Sequence, residues 1–214
     1  MFGYVNGAMQ YILTFFYHLT SKLGFPNYGA AIILLTVAIK ALFFPLSLKQ
    51  IESMRKMREL GPQLKALRAK YKNDLHKQQQ EITLLYKKSG VNPLSGCLPL
   101  LIQMPFLTGI FYTIKNFSYA SQPSFLWIKN LAGTDPFYIL PFLAALTTYI
   151  SSQQSMTDSS QNRAMLIIVP FIIGFMTLRF PAGLGLYWVV SNLIQIMQQW
   201  FLYRKPVSGQ RAPI

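Results

Sequence analysis

Residues 36–46 read TVAIKALFFPL, and Lys40 stands in the middle of that apolar run. An ammonium at bilayer depth costs about 3 kcal/mol on insertion scales, so a chain that places one there must hold it or let water reach it. The run is part of a longer apolar stretch, Tyr28–Leu48, long enough as a helix to cross about 30 Å of hydrocarbon. Composition points the same way. The 214 residues are 52% hydrophobic and only 12% charged, with a mean hydropathy of +0.30. A soluble domain carries about 25% charged residues.

Four further apolar stretches follow, at Leu94–Ile114, Phe137–Ser152, Ala164–Leu178 and Gly183–Tyr203. The reading is an all-α polytopic membrane protein with five transmembrane helices. Spans three and four are short, which implies local thinning of the bilayer or burial among neighbours. Residues 1–27 form a separate element. Asn6, Gln10, Thr14 and His18 recur every fourth position, which lays a polar stripe on one helix face. This predicts an external amphipathic helix at the interface, then a turn at Gly24-Phe25-Pro26-Asn27.

Net charge is +14, and Lys49–Lys88 holds eleven basic residues against four acids. Such a block belongs on the cytoplasmic side, near anionic lipid or RNA. It orients the first span from outside to inside. Five spans then place the C-terminus in the cytoplasm, where residues 205–214 form a short basic tail. The segment 49–90 reads as a helical hairpin. Gly61-Pro62 interrupts its first helix, Asp74 caps its second, and Gly90 closes it. Arg55, Lys56, Arg58, Lys65, Arg68 and Lys70 are its candidate contact residues. One cysteine, Cys97, excludes an intramolecular disulfide framework. No metal-ligand cluster, nucleophile–base pair or phosphate-binding glycine loop is visible, so no cofactor and no enzymatic chemistry are expected.

YGAAIILLTVAIKALFFPLSLKQ, MRKMRELGPQLKALRAKY, VNPLSGCLPLLIQMPFLTGIFY, FLWIKNLAGTDPFYILP and FPAGLGLYWVVSNLIQIMQQWFLYR fall in order from Tyr28 to Arg204. Together they resemble the YidC/Oxa/Alb family of membrane protein insertases. The resemblance implies a five-helix insertase core over 28–204 in the bacterial cytoplasmic membrane, in a short form without the large periplasmic domain of some Gram-negative members. It also implies a groove open to cytoplasm and lipid and closed outside. Family members usually carry an arginine, exposed in that groove, where this chain has Lys40. Lysine keeps the charge but loses the planar fork, and it can give up its proton where arginine does not.

Lys40 is therefore the leading groove residue. Its bland alternative is snorkelling, but Leu48 lies eight residues on, about 12 Å along a continuous helix, beyond a lysine stem. Thr36 shares its face one turn away, although such a hydroxyl also bonds back to its own helix. In the fifth span Trp188, Ser191 and Gln195 share a face. The resemblance places an aromatic at Trp188 against the substrate, whereas composition alone allows an interfacial anchor. Gln103 either lines the groove or ties helices together, and Gln153 ends the third span.

The function expected is that of a membrane protein insertase and chaperone, two roles the sequence does not separate: the hydrophilic ends of nascent single- or double-span membrane proteins pass through a wet, positively charged groove and the apolar helix is released into lipid. Expected partners are these substrates, anionic lipids and a Sec translocon, with the ribosome (through its RNA) and signal-recognition targeting factors at the hairpin. The alternative is a small anion channel or carrier with Lys40 as the binding charge. That reading calls for ringed charges or inverted repeats, and the sequence shows neither.

Overall fold

The computed structural model describes residues 2–92, 98–116, 119, 123–155 and 160–203. Cys97 and the basic residues of 204–214 lie outside these. The fold is all-α. Among the described residues there are nine helices: α1 Phe2–Lys22, α2 Tyr28–Leu42, α3 Phe44–Glu59, α4 Gly61–Lys70, α5 Leu75–Lys88, α6 Leu98–Asn116, α7 Ile139–Ser155, α8 Ser160–Thr177 and α9 Ala182–Tyr203. The central helix is α9, packed against α2, α6 and α7. Helix α1 covers α2 and α6, and α8 lies on α7.

The first expected span needs correction. It is not one helix over 28–48: α2 ends at Leu42, and α3 leaves it at an angle of 67°. Pro45 supplies the cause. It lacks an N–H, and its ring would strike the Ala41 carbonyl of a continuous helix. Phe43 therefore leaves helical geometry (φ −89°, ψ 7°), and Pro45 occupies the first turn of α3. The other four expected spans coincide with α6, α7, α8 and α9 to within a few residues. No single described helix is long and apolar enough to cross a membrane, although α2 and α3 together have the length and composition. Polar residues within α7 and α9, among them Thr147, Thr148, Asn192 and Gln195, dilute the apolar runs.

The hairpin forms as its sequence signals. Gly61 opens α4 with Pro62 behind it, the Asp74 carboxylate accepts from the Lys77 N–H at 3.0 Å, and Gly90 takes a positive φ of 61°. Ile51, Met54 and Leu64 are its buried anchors. Helix α1 is docked more firmly than an interfacial helix requires. Met9, Leu13 and Thr20 turn inward, and Tyr17 stacks on Tyr28 with ring centroids 4.0 Å apart. Of the polar stripe, Gln10 and Thr14 are half-buried and His18 is exposed. The outer edge carries exposed Tyr11, Phe15, Leu19 and Leu23.

Packing is uneven along the bundle. At the end holding the loop 123–138, the contacts are closed: Tyr28, Ile32, Ile114, Ile128, Leu131, Leu140 and Leu184 are all buried. Gly183 is the crossing point. A Cβ there would stand 3.0 Å from Ile114 Cδ1, 3.1 Å from Ile32 Cδ1 and 3.3 Å from the Leu131 carbonyl oxygen. The loop is also stitched to the start of α9, whose first N–H groups have no partner within the helix. Ala182 N donates to Gly133 O at 2.6 Å and Gly183 N to Leu131 O at 2.9 Å. Toward the hairpin end Val37 and Ala38 on α2, Met104 on α6, and Leu193 and Met197 on α9 are exposed, while Gln199 of α9 is fully buried.

Candidate functional site

Lys40 sits in the last turn of α2, on the row that begins with buried Tyr28, Ile32 and Thr36, at the point where that row becomes half-exposed. The bend three residues later means that the 12 Å measured to Leu48 along a continuous helix does not apply. The bend instead leaves a helix C-terminus beside Lys40, where the partial negative charge of the last carbonyls favours a cation. No carboxylate among the described residues lies within ion-pair distance. Glu52 pairs with Lys56 at 3.1 Å and Glu59 with Arg55 at 3.4 Å. Asp74 caps α5, and Asp135 is enclosed in the loop at the opposite end.

Thr36 is fully buried, and its hydroxyl donates to the Ile32 carbonyl at 2.7 Å. Its polarity is satisfied within α2, so what it brings to the site is packing below Lys40. Gln103 on α6 donates through Nε2 to the Tyr187 hydroxyl. Tyr187 is a buried tyrosine that the sequence did not single out, and Ser191, one turn along α9, is buried as well. Trp188 faces the opposite flank of α9. Its indole N–H donates to Thr148 Oγ1 at 3.0 Å, and the Asn192 amide lies 2.9 Å from the same oxygen and 3.2 Å from Thr147 Oγ1.

These bonds form a polar belt across α6, α9 and α7. Neither Lys40 nor Gln195 joins it. Gln195 is half-buried further along α9, and Gln153 is exposed, bonded to Tyr149 of its own helix at 3.3 Å. The belt was legible in part: Thr147, Thr148 and Asn192 are polar residues inside apolar stretches, and in such stretches polar side chains bond across helices.

On the hairpin, Lys56, Arg58, Lys65 and Lys70 are exposed, and Arg55 and Arg68 are half-buried. Lys70 and Lys77 stand over the Tyr71 ring, 5.4 and 5.5 Å from its centroid. The Glu52–Lys56 pair is exposed and the Glu59–Arg55 pair partly so, and each contributes about 0.4 kcal/mol. The surface is therefore a cationic face more than a stabilised core.

Asp135 of the loop is a residue that the sequence did not single out. It is 3% exposed and accepts three hydrogen bonds: from Trp127 Nε1 at 3.0 Å, Phe137 N at 3.1 Å and Leu140 N at 2.7 Å. It fastens the closed end and the start of α7.

Comparison with known proteins places this geometry. The family model described as 60Kd inner membrane protein matches residues 18–209. A membrane protein insertase YidC of Caldanaerobacter subterraneus is 42% identical over 186 residues, covering 86% of this chain and 90% of that one. A Pseudomonas fluorescens protein of the same name is 40% identical over 206 residues, and the chain spans only 36% of its length. The solved structure titled "Active YidC insertase crystal structure with the first transmembrane domain resolved" superposes with a TM-score of 0.74 at 30% identity, covering 92% of this chain and 46% of that one. The chain belongs to the 60Kd inner membrane protein family, the YidC/Oxa/Alb family already suggested by its motifs.

Proposed function

We propose that the chain is a membrane protein insertase that works through a cationic groove between α2 and the α6–α9–α7 belt. Lys40 carries the reading: a half-buried ammonium at the opening of the bundle, with no described carboxylate to neutralise it. Relatives named as insertases support it. In this reading the bundle spans a bacterial inner membrane as five segments, 28–48, 94–114, 137–152, 164–178 and 183–203, the first of them bent. The loop 123–138 is external and the hairpin 49–90 and C-terminus are cytoplasmic. Helix α1 (within 1–27) lies at the outer interface, its exposed aromatic edge toward lipid.

The hydrophilic tail of a nascent membrane protein enters from the hairpin end. Lys40 lowers the cost of bringing its acidic groups to bilayer depth, the step that blocks unaided insertion. Gln103, Trp188 and Gln195 line the path, with Thr36 and Ser191 packed beneath. The substrate's apolar helix then moves into lipid, and burying its surface supplies about 25 cal/mol per Å2. The membrane potential adds about 2.3 kcal/mol per charge per 100 mV. No bond is made or broken. The cationic hairpin meets ribosome, targeting factors, a Sec translocon or anionic lipid.

The test is reconstitution in liposomes with a single-span substrate bearing an acidic N-terminal tail, read as protease protection of the tail. Wild type and Lys40→Arg protect it, Lys40→Ala less, and Lys40→Glu least. Protection no greater than in empty liposomes refutes the insertase. Equal protection by all four refutes the groove charge. Saturable flux of a small anion, without protection, favours the carrier.

A further inference from the structure

We propose that Thr148 is a positioning residue: it takes up the one polar group of the Trp188 indole and fixes the ring so that the groove meets only its apolar face. This rests on reading Trp188 as groove wall. An indole has a single polar atom, a donor. Here that N–H is spent inside the bundle, on Thr148 Oγ1 at 3.0 Å, with the Asn192 amide oxygen a longer second acceptor at 3.2 Å. Thr148 is buried while the Trp188 side chain is only half-buried, so the ring reaches outward from an anchored N–H. The anchor is itself tied down. Asn192, one turn along α9 from Trp188, places its amide within 2.9 Å of Thr148 Oγ1 and 3.2 Å of Thr147 Oγ1. Thr147 donates to the Leu143 carbonyl of α7 at 2.7 Å.

The consequence is chemical. An indole whose N–H faced the path would hold water or catch a passing carbonyl, and a sliding apolar helix would have to strip that partner away, leaving a buried donor unmet. With Thr148 occupying it, the helix meets a flat aromatic face. The two walls then divide the substrate: Lys40 receives the charged tail, and Trp188 the apolar segment. Loss of Thr148 slows substrates according to their apolar segment, independently of tail charge.

The test is a double-mutant cycle on the full chain in liposomes, combining Thr148→Val or Thr148→Ser with Trp188→Phe, and reading insertion rate and Trp188 emission. The emission is taken as the difference between spectra with and without Trp188→Phe. Thr148→Val slows insertion about threefold, the effect of an average intramembrane hydrogen bond. It also moves Trp188 emission and quenching, while Thr148→Ser restores both. In the Trp188→Phe background Thr148→Val has a smaller effect, that of its Asn192 contact alone, and leaves no emission change to read. An equal loss in both backgrounds assigns Thr148 to α7–α9 packing and overturns the proposal, as does Thr148→Ser behaving like Thr148→Val. If wild type inserts nothing, the insertase reading falls by itself, and unchanged Trp188 emission in Thr148→Val still overturns the positioning role.

Discussion

Asp135→Ala is the sharpest structural perturbation available. The carboxylate is 3% exposed and collects three donors: the Trp127 indole and the Phe137 and Leu140 backbone N–H groups. Hydrogen bonds to a charged group contribute about 1.5–3 kcal/mol each and do not add fully, so truncation costs about 4 kcal/mol. Part of that cost is the loss of a negative charge at the first turn of α7. Asp135→Asn keeps one acceptor oxygen but sets an NH2 against the remaining donors, at about 2 kcal/mol. Trp127→Phe removes one donor, at about 1 kcal/mol, and the double variant falls short of the sum because the two share a bond. Equilibrium unfolding in mixed micelles, followed by far-ultraviolet circular dichroism, gives the order wild type, Trp127→Phe, Asp135→Asn, Asp135→Ala. If Asp135→Ala stays within about 1 kcal/mol of wild type, the carboxylate does not fasten the closed end.

Two further outcomes follow from the same packing. Gly183→Ala meets the flexible tips of Ile32 and Ile114 at 3.1 and 3.0 Å and costs about 1 kcal/mol. Gly183→Leu overpacks the crossing, and liposomes carrying it leak potassium faster than wild type, whereas equal leakage contradicts a seal at Gly183. Tyr119, in the loop region, donates its hydroxyl to the Ile114 carbonyl at 2.7 Å. Burial, with the Tyr28 phenol beside it, raises its ionisation above the ordinary 10. Above pH 10 the unfolded phenol ionises while the folded one keeps its proton. The folded state then binds more protons, and stability falls as pH rises. Tyr119→Phe flattens that decline in a pH series of unfolding midpoints, and an unchanged slope refutes it.

The hairpin was readable because its signals are local: Gly61-Pro62, Asp74 and Gly90 each act within one turn. The bend at Phe43 was less so. Pro45 marked a break, but hydropathy runs smoothly through TVAIKALFFPLSL and carries no information about axis direction. Helix α1 was legible as a helix. That Met9, Leu13 and Thr20 dock on the bundle depends on where α2 and α6 stand, which periodicity cannot say. Asp135 escaped notice because its three donors are two backbone groups and an indole rather than a basic residue. Lys40 stood out for the opposite reason, as a cation in an apolar run with no nearby acid. The Thr148–Trp188–Asn192 cluster needed the register between α7 and α9.

The most direct test of the account is the aqueous accessibility of position 40. In a Cys97→Ser background, Lys40→Cys is exposed to a membrane-impermeant maleimide in sealed vesicles of either orientation, with Thr36→Cys as the buried control. The account expects Lys40→Cys to label from the hairpin side only and Thr36→Cys to label from neither. Labelling of Lys40→Cys from the loop side, or from neither side, contradicts a water-filled groove closed at one end.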